Sequence, residues 1–213
     1  MSNALSDDRQ LTRSWIIYGA TAGIVAGLAY TTASVEVPFL GAVNVYLGMA
    51  FGPLLAVAYG GMYHFFWLHR NTVALQAATL YGIIAGTLVN LMVVVQSAIH
   101  LTIPAGAREG LGLAYAGVNM VQLGMDVSWD IYLSVATVLL GLVMAGHPRF
   151  GRIWAAAALL LGGGLLVLNL ASFPVPPASA GSIDLGLACG MLFLAVAIRI
   201  LASLKWVDSA LSG

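Results

Sequence analysis

The sequence predicts an all-α fold, a polytopic transmembrane helix bundle, on three observations. Of 213 residues, 61% are hydrophobic and only 8% are charged. A soluble domain carries about 25% charged residues, so too few are present to cover a water-facing surface. Mean hydropathy is +0.96. The apolar residues gather into runs of about the 20 needed to cross a membrane, joined by short polar turns. One domain over 1–213 accommodates them all. With zero net charge, a nucleic-acid partner is excluded.

The first span is expected at 14–34. It exceeds the roughly 7–15 apolar residues of a cleaved signal peptide, and is read as retained. Gly19, Gly23 and Gly27 mark one face for close helix approach. Pro38 ends it. The second span, 41–68, carries Gly52-Pro53 near its middle, where a kink is expected. It closes on Tyr63-His64-Phe65-Phe66-Trp67, an expected interfacial aromatic belt. After the His69-Arg70-Asn71 turn the third span covers 73–101. It holds Gly82, Gly86, Asn90, Gln96 and His100.

The stretch 111–147 decides the topology. As one helix it would be about 55 Å long, nearly twice the hydrocarbon thickness. A break is expected at Gly124-Met125-Asp126. Residues 111–123 would then form a short re-entrant or interfacial helix, and a span would run over 128–146. Ser128 would cap it, with Asp130 at the positive end of its dipole. Spans at 153–171 and 184–204 follow, separated by Phe173-Pro174-Val175-Pro176-Pro177, which cannot be helical. Lys205 and Trp206 are expected to anchor the end.

Charge sorts the topology. With six spans, Arg9, Arg13, Arg70, Arg149, Arg152, Arg199 and Lys205 fall on one side and only Arg108 on the other. The positive-inside rule makes the first side, with both termini, cytoplasmic. A seventh span would erase the bias. Glu36, Glu109, Asp126, Asp130 and Asp184 then collect on the outer side with His100, Gln96, Asn119 and Asn169, while Asp7, Asp8 and Asp208 lie inside.

Ser128-Trp129-Asp130, and the run NLASFPVPPASAGSIDLG from Asn169 to Gly186, resemble a domain-of-unknown-function family of small bacterial multi-pass membrane proteins. The likeness is clearest over 126–200. It implies a six-helix protein of the bacterial inner membrane and no particular activity. The residues that make it include Trp129, Asp130, Asn169, Pro174, Pro176, Pro177 and Asp184.

The candidate ligand-binding residues are Glu36, His100, Asp126, Trp129, Asp130, Asn169 and Asp184, around an outward-facing polar pocket. Ionisable groups at membrane depth are costly and mark function. Against this, Asp130 and Asp184 sit where a helix start would favour an acid for its own sake. No Gly-x-Ser-x-Gly or His-Glu-x-x-His is present, so no catalytic residue is named. No metal site or cofactor is expected: His64 and His69 are five apart, and nothing flanking His64 and His147 supports a haem pair. Cys189 reads as a small core residue. The leading function is binding or transport of a small amphiphile or cation. The rivals are a structural subunit packing through Gly-rich faces, and a lipid-modifying enzyme. The expected partners are the lipid bilayer and a second copy or another membrane protein.

Overall fold

A computed structural model describes residues 2–34, 41–103 and 105–212. Among these every regular element is a helix, with no strands. The helices are α1 (Ser2–Ser34), α2 (Gly41–Trp67), α3 (Val73–Thr102), the single turn α4 (Arg108–Leu111), α5 (Leu113–Met144), α6 (Gly151–Ser172), α7 (Gly186–Leu201) and α8 (Leu204–Ser212). Four of them, α1, α3, α5 and α6, are long and apolar enough to cross a membrane. The pair α7 and α8, bent by 54° at its break, makes a fifth if counted as one span.

Neighbours in sequence are mostly neighbours in space. Helix α2 packs between α1 and α3, α5 lies against α3 and α6, and α7 returns to α1. Small residues set the closest approaches. Gly19 of α1 and Gly61 of α2 meet backbone to backbone, as do Gly52 of α2 and Gly86 of α3. A Cβ at any of the four would enter the facing main chain. Helices in lipid gain little from burying apolar surface against one another, so such close van der Waals contact is what holds them. Helix α2 continues unbroken through the exposed Pro53.

The expected break at Gly124-Met125-Asp126 is absent. Helix α5 is one element of 32 residues, about 48 Å long. The length argument fails because hydrocarbon thickness limits only the part of a helix that must lie in lipid. Along the N-terminal turns of α5, Leu113, Val118, Met120 and Val121 are exposed, while Gln122 already meets Gln96 of α3. Ser128 does not cap anything. Its Oγ donates to the carbonyl of Gly124 at 2.8 Å and bridges the very turn where the break was expected. The separate short helix over 111–123 is therefore not formed.

Two further expectations are corrected. Within the presumed aromatic belt, Phe65 and Phe66 are fully buried and only Trp67 is exposed. Trp206 turns inward onto Phe65 and His147, with ring centroids 5.1 Å and 4.9 Å away. Both follow from α8, which folds back across the bundle end instead of extending the last span. Its Asp208 accepts from Arg13 Nε at 2.7 Å.

These contacts gather α8, the start of α1 and the turns after α2 and α5 at one end. His147, 2% exposed, sits there among Phe65, Phe66, His69, Phe150 and Trp206. Its Nδ1 accepts from the Arg149 amide at 3.2 Å, and its Nε2 is buried without a partner. Arg149 reaches Ser203 Oγ, and Arg199 Nε donates to the Arg149 carbonyl. Burial, and then the nearby His69 and Arg149, lower the His147 pKa from 6.5 to about 4.

Two outcomes are expected. Gly61→Leu should destabilise the bundle by about 1–3 kcal/mol or more through overpacking. Gly163→Ala, with nothing within 4 Å of its added Cβ, should hold or raise stability; thermal melting in detergent compares them. Because the folded protein disfavours charging His147, the unfolded chain binds more protons between pH 6.5 and about 4. Stability should therefore fall as pH drops through that window. His147→Phe should flatten the slope in a melting series against pH.

Candidate functional site

The acid-bearing end lies opposite the basic one. It is built where the end of α1, the first half of α2, the middle of α5, the end of α6 and the start of α7 meet. Tyr30 of α1 stacks on Phe51 of α2 at 5.2 Å. Trp129 of α5 lies edge-on to both, at 5.9 and 6.1 Å. Gly186 and Gly190 of α7 leave the space that the Tyr30 ring fills. That pair had the spacing of a helix-packing face, yet here the small residues seat a side chain.

Helix α5 supplies three of the expected site residues in one turn. Trp129 Nε1 donates to Asp126 Oδ1 at 2.8 Å. Asp130 is 3% exposed and far from either helix end. With α5 starting at Leu113, the helix-dipole explanation for an acid at 130 no longer applies. Its Oδ2 instead accepts from Asn169 Nδ2 of α6 at 3.0 Å. The same Nδ2 also donates to the Leu165 carbonyl at 3.0 Å, which fixes the amide orientation. Asn169 Oδ1 is left buried without a partner, and so is Ser134 Oγ, one turn along α5 from Asp130.

Asp184 differs. It is exposed, and its Oδ1 accepts from the Gly186 amide at 2.7 Å, capping the start of α7. For this residue the helix-start explanation fits. Asp126 lies one turn from Asp130 on α5, and Asp184 Oδ1 flanks Gly186 together with the Tyr30 hydroxyl. Glu36 lies outside the described residues, as does the side chain of His100. Gln96 joins a separate amide chain, donating to Gln122 Oε1 at 2.7 Å, while Gln122 donates to Asn119 at 3.2 Å.

The cavity beside Trp129 is about 10 Å³ and lined mainly by apolar and aromatic groups, among them Tyr30, Phe51, Trp129, Leu133, Cys189 and Phe193. That is room for about one water. Among the described residues no three His, Cys, Asp or Glu side chains are placed to share a metal ion. Cys189 is buried. Tyr30, Phe51 and Ser134 were not singled out from sequence. Only Ser134 carried a signal, being polar and four residues after Asp130 in an apolar run.

The fold and this end define a class: a bundle of apolar helices compatible with a membrane-embedded protein, with a buried acid–amide pair near one end. No family model matches the chain, and neither does any curated protein or solved structure.

Asn169→Leu should strand the buried Asp130 carboxyl and cost about 1–3 kcal/mol. Asp130→Leu combined with Asn169→Leu should recover most of that loss, since both polar partners are then gone. Denaturant unfolding in mixed micelles measures both; an Asn169→Leu variant as stable as wild type would contradict the assigned bond.

Proposed function

We propose that this is a membrane protein of binding or transport type that takes a small cation or cationic amphiphile at its acid-bearing end. The observation that carries the reading is Asp130, a carboxyl buried in mid-helix beside the unpartnered Asn169 Oδ1 and Ser134 Oγ. Acceptors outnumber donors there. Trp129 Nε1 is engaged by Asp126, and Asn169 Nδ2 by Asp130 and Leu165. The complementary ligand brings N–H donors or positive charge. The faces of Tyr30, Phe51 and Trp129 suit a cation too, since aromatic quadrupoles attract one at about 0.5–2 kcal/mol. Asp126 and Asp184 add field without needing to touch it. With a cavity of about 10 Å³, binding requires the helix ends around Tyr30 and Gly190 to part.

We place six crossings in the membrane: α1, α2, α3, α5, α6 and α7. Helix α2 is counted because Phe51 belongs to the acid-bearing end and Phe65 to the basic one. Its 27 residues, about 40 Å, exceed the hydrocarbon thickness. Seven of the eight Lys and Arg residues belong to the basic end, which supports a cytoplasmic location for it and for both termini. The bacterial inner membrane is proposed on the likeness of 126–200 to small bacterial multi-pass proteins.

The test is melting of the purified protein with primary and quaternary alkylammonium salts, and with Na⁺, K⁺ and Mg²⁺, at matched ionic strength. A ligand well above its Kd should raise the melting temperature by about 3 °C or more. Asp130→Asn should abolish the rise and Asp184→Asn should reduce it. If no cation shifts wild type, or Asp130→Asn responds equally, the reading fails.

A further inference from the structure

At the basic end a groove of about 200 Å³ opens between the turn after α2, the first turn of α3 and the last turns of α5. Its polar side is His69, Arg70 and Thr72; its apolar side is Ala74, Leu142 and Val143. We propose that this groove binds one anionic phospholipid, with the headgroup phosphate at Arg70 and the start of an acyl chain along Leu142 and Val143.

Charge is the first argument. Arg70 is exposed and has no ion-pair partner among the described residues, where Arg13 and Asp208 do pair. No acid lines the groove. Hydrogen bonding is the second. Thr72 Oγ1 accepts from the Leu75 amide, and the Thr72 carbonyl from the Gln76 amide. The amides of Val73 and Ala74 open α3 and have no intrahelical acceptor. They face the same end as Arg70, where the positive end of the helix dipole favours an anion. Arg70 supplies full charge and the amides supply direction.

The shape separates a lipid from a free anion. A phosphate ion needs only the polar half. Leu142 is 54% exposed and continues the groove onto the apolar flank of α5. At about 200 Å³ the groove is smaller than the roughly 300–1,000 Å³ of an enclosed small-molecule site. It suits a headgroup whose chains run on outside. The neighbouring His69 ring lies 5.1 Å from buried His147, so an occupant also braces the aromatic cluster that ties α8 to α2.

The full-length protein in neutral detergent is melted with added phosphatidylglycerol, with phosphatidylcholine at the same mole fraction, and with inorganic phosphate. Phosphatidylglycerol should raise the melting temperature by about 3 °C or more over phosphatidylcholine. Arg70→Gln should lose at least half of that excess. Val143→Trp, which fills the apolar half without changing charge, should lose it too. Arg152→Gln, at the same end but off the groove, should keep it. The proposal is overturned if the two lipids act alike, if phosphate alone reproduces the shift, or if Val143→Trp keeps the full excess. It is equally overturned if Arg152→Gln loses as much as Arg70→Gln, since diffuse electrostatics then explains the effect.

Discussion

The continuity of α5 is the constraint on which the acid-bearing end depends. A helix broken at Gly124 would begin a new first turn near Ser128. Asp130 would then be a solvated acid at a helix start. Unbroken, the helix carries Asp130 nearly five turns from its N-terminus and presses it against α6, at 3% exposure. A polar group so placed must be hydrogen-bonded or be costly. Asn169 answers that need, and its own position is set by the Leu165 carbonyl one turn back. The α5–α6 seam thus carries the Asp130–Asn169 bond, and Gly162 brings α6 close to the Ser134 carbonyl and Thr137.

The rest of the bundle follows from small residues used in two ways. Gly19 with Gly61, and Gly52 with Gly86, bring main chains into contact and hold α1, α2 and α3 as a layer. Gly186 and Gly190 do something else: they leave a slot for the Tyr30 ring, which turns its other side to Phe51 and Trp129. The two ends differ in chemistry as a result. One is an acid–amide pair under aromatic rings. The other packs a histidine among aromatic rings and rims it with arginines.

Much of this was legible in the sequence, and the misses have physical causes. Helix content and the sorting of acids from bases follow from composition and the spacing of polar turns, because lipid leaves a chain few alternatives. Seven residues were candidates for one polar pocket; of these, hydrogen bonds join Trp129 to Asp126 and Asn169 to Asp130, while Asp184 caps α7. The break in α5 was misjudged because helix length was set against membrane thickness, while nothing in a sequence states how much of a helix must lie in lipid. Tyr30 and Phe51 were invisible because an aromatic residue in an apolar run has no local mark distinguishing lipid from core. Trp206 was misplaced for a related reason: the bend between α7 and α8 depends on tertiary contacts of Ser203, Val207 and Asp208, not on a proline or glycine at the break.

The most direct test is a nitroxide scan along 117–133, one cysteine at a time in a Cys189→Ala background, reading oxygen accessibility in lipid. An unbroken α5 requires accessibility to oscillate with a period of about 3.6 residues and no phase jump across Gly124-Met125-Asp126, with position 130 among the least accessible. A loss of phase at 124–126, with 130 as accessible as 121, would contradict the buried Asp130 and the site built on it.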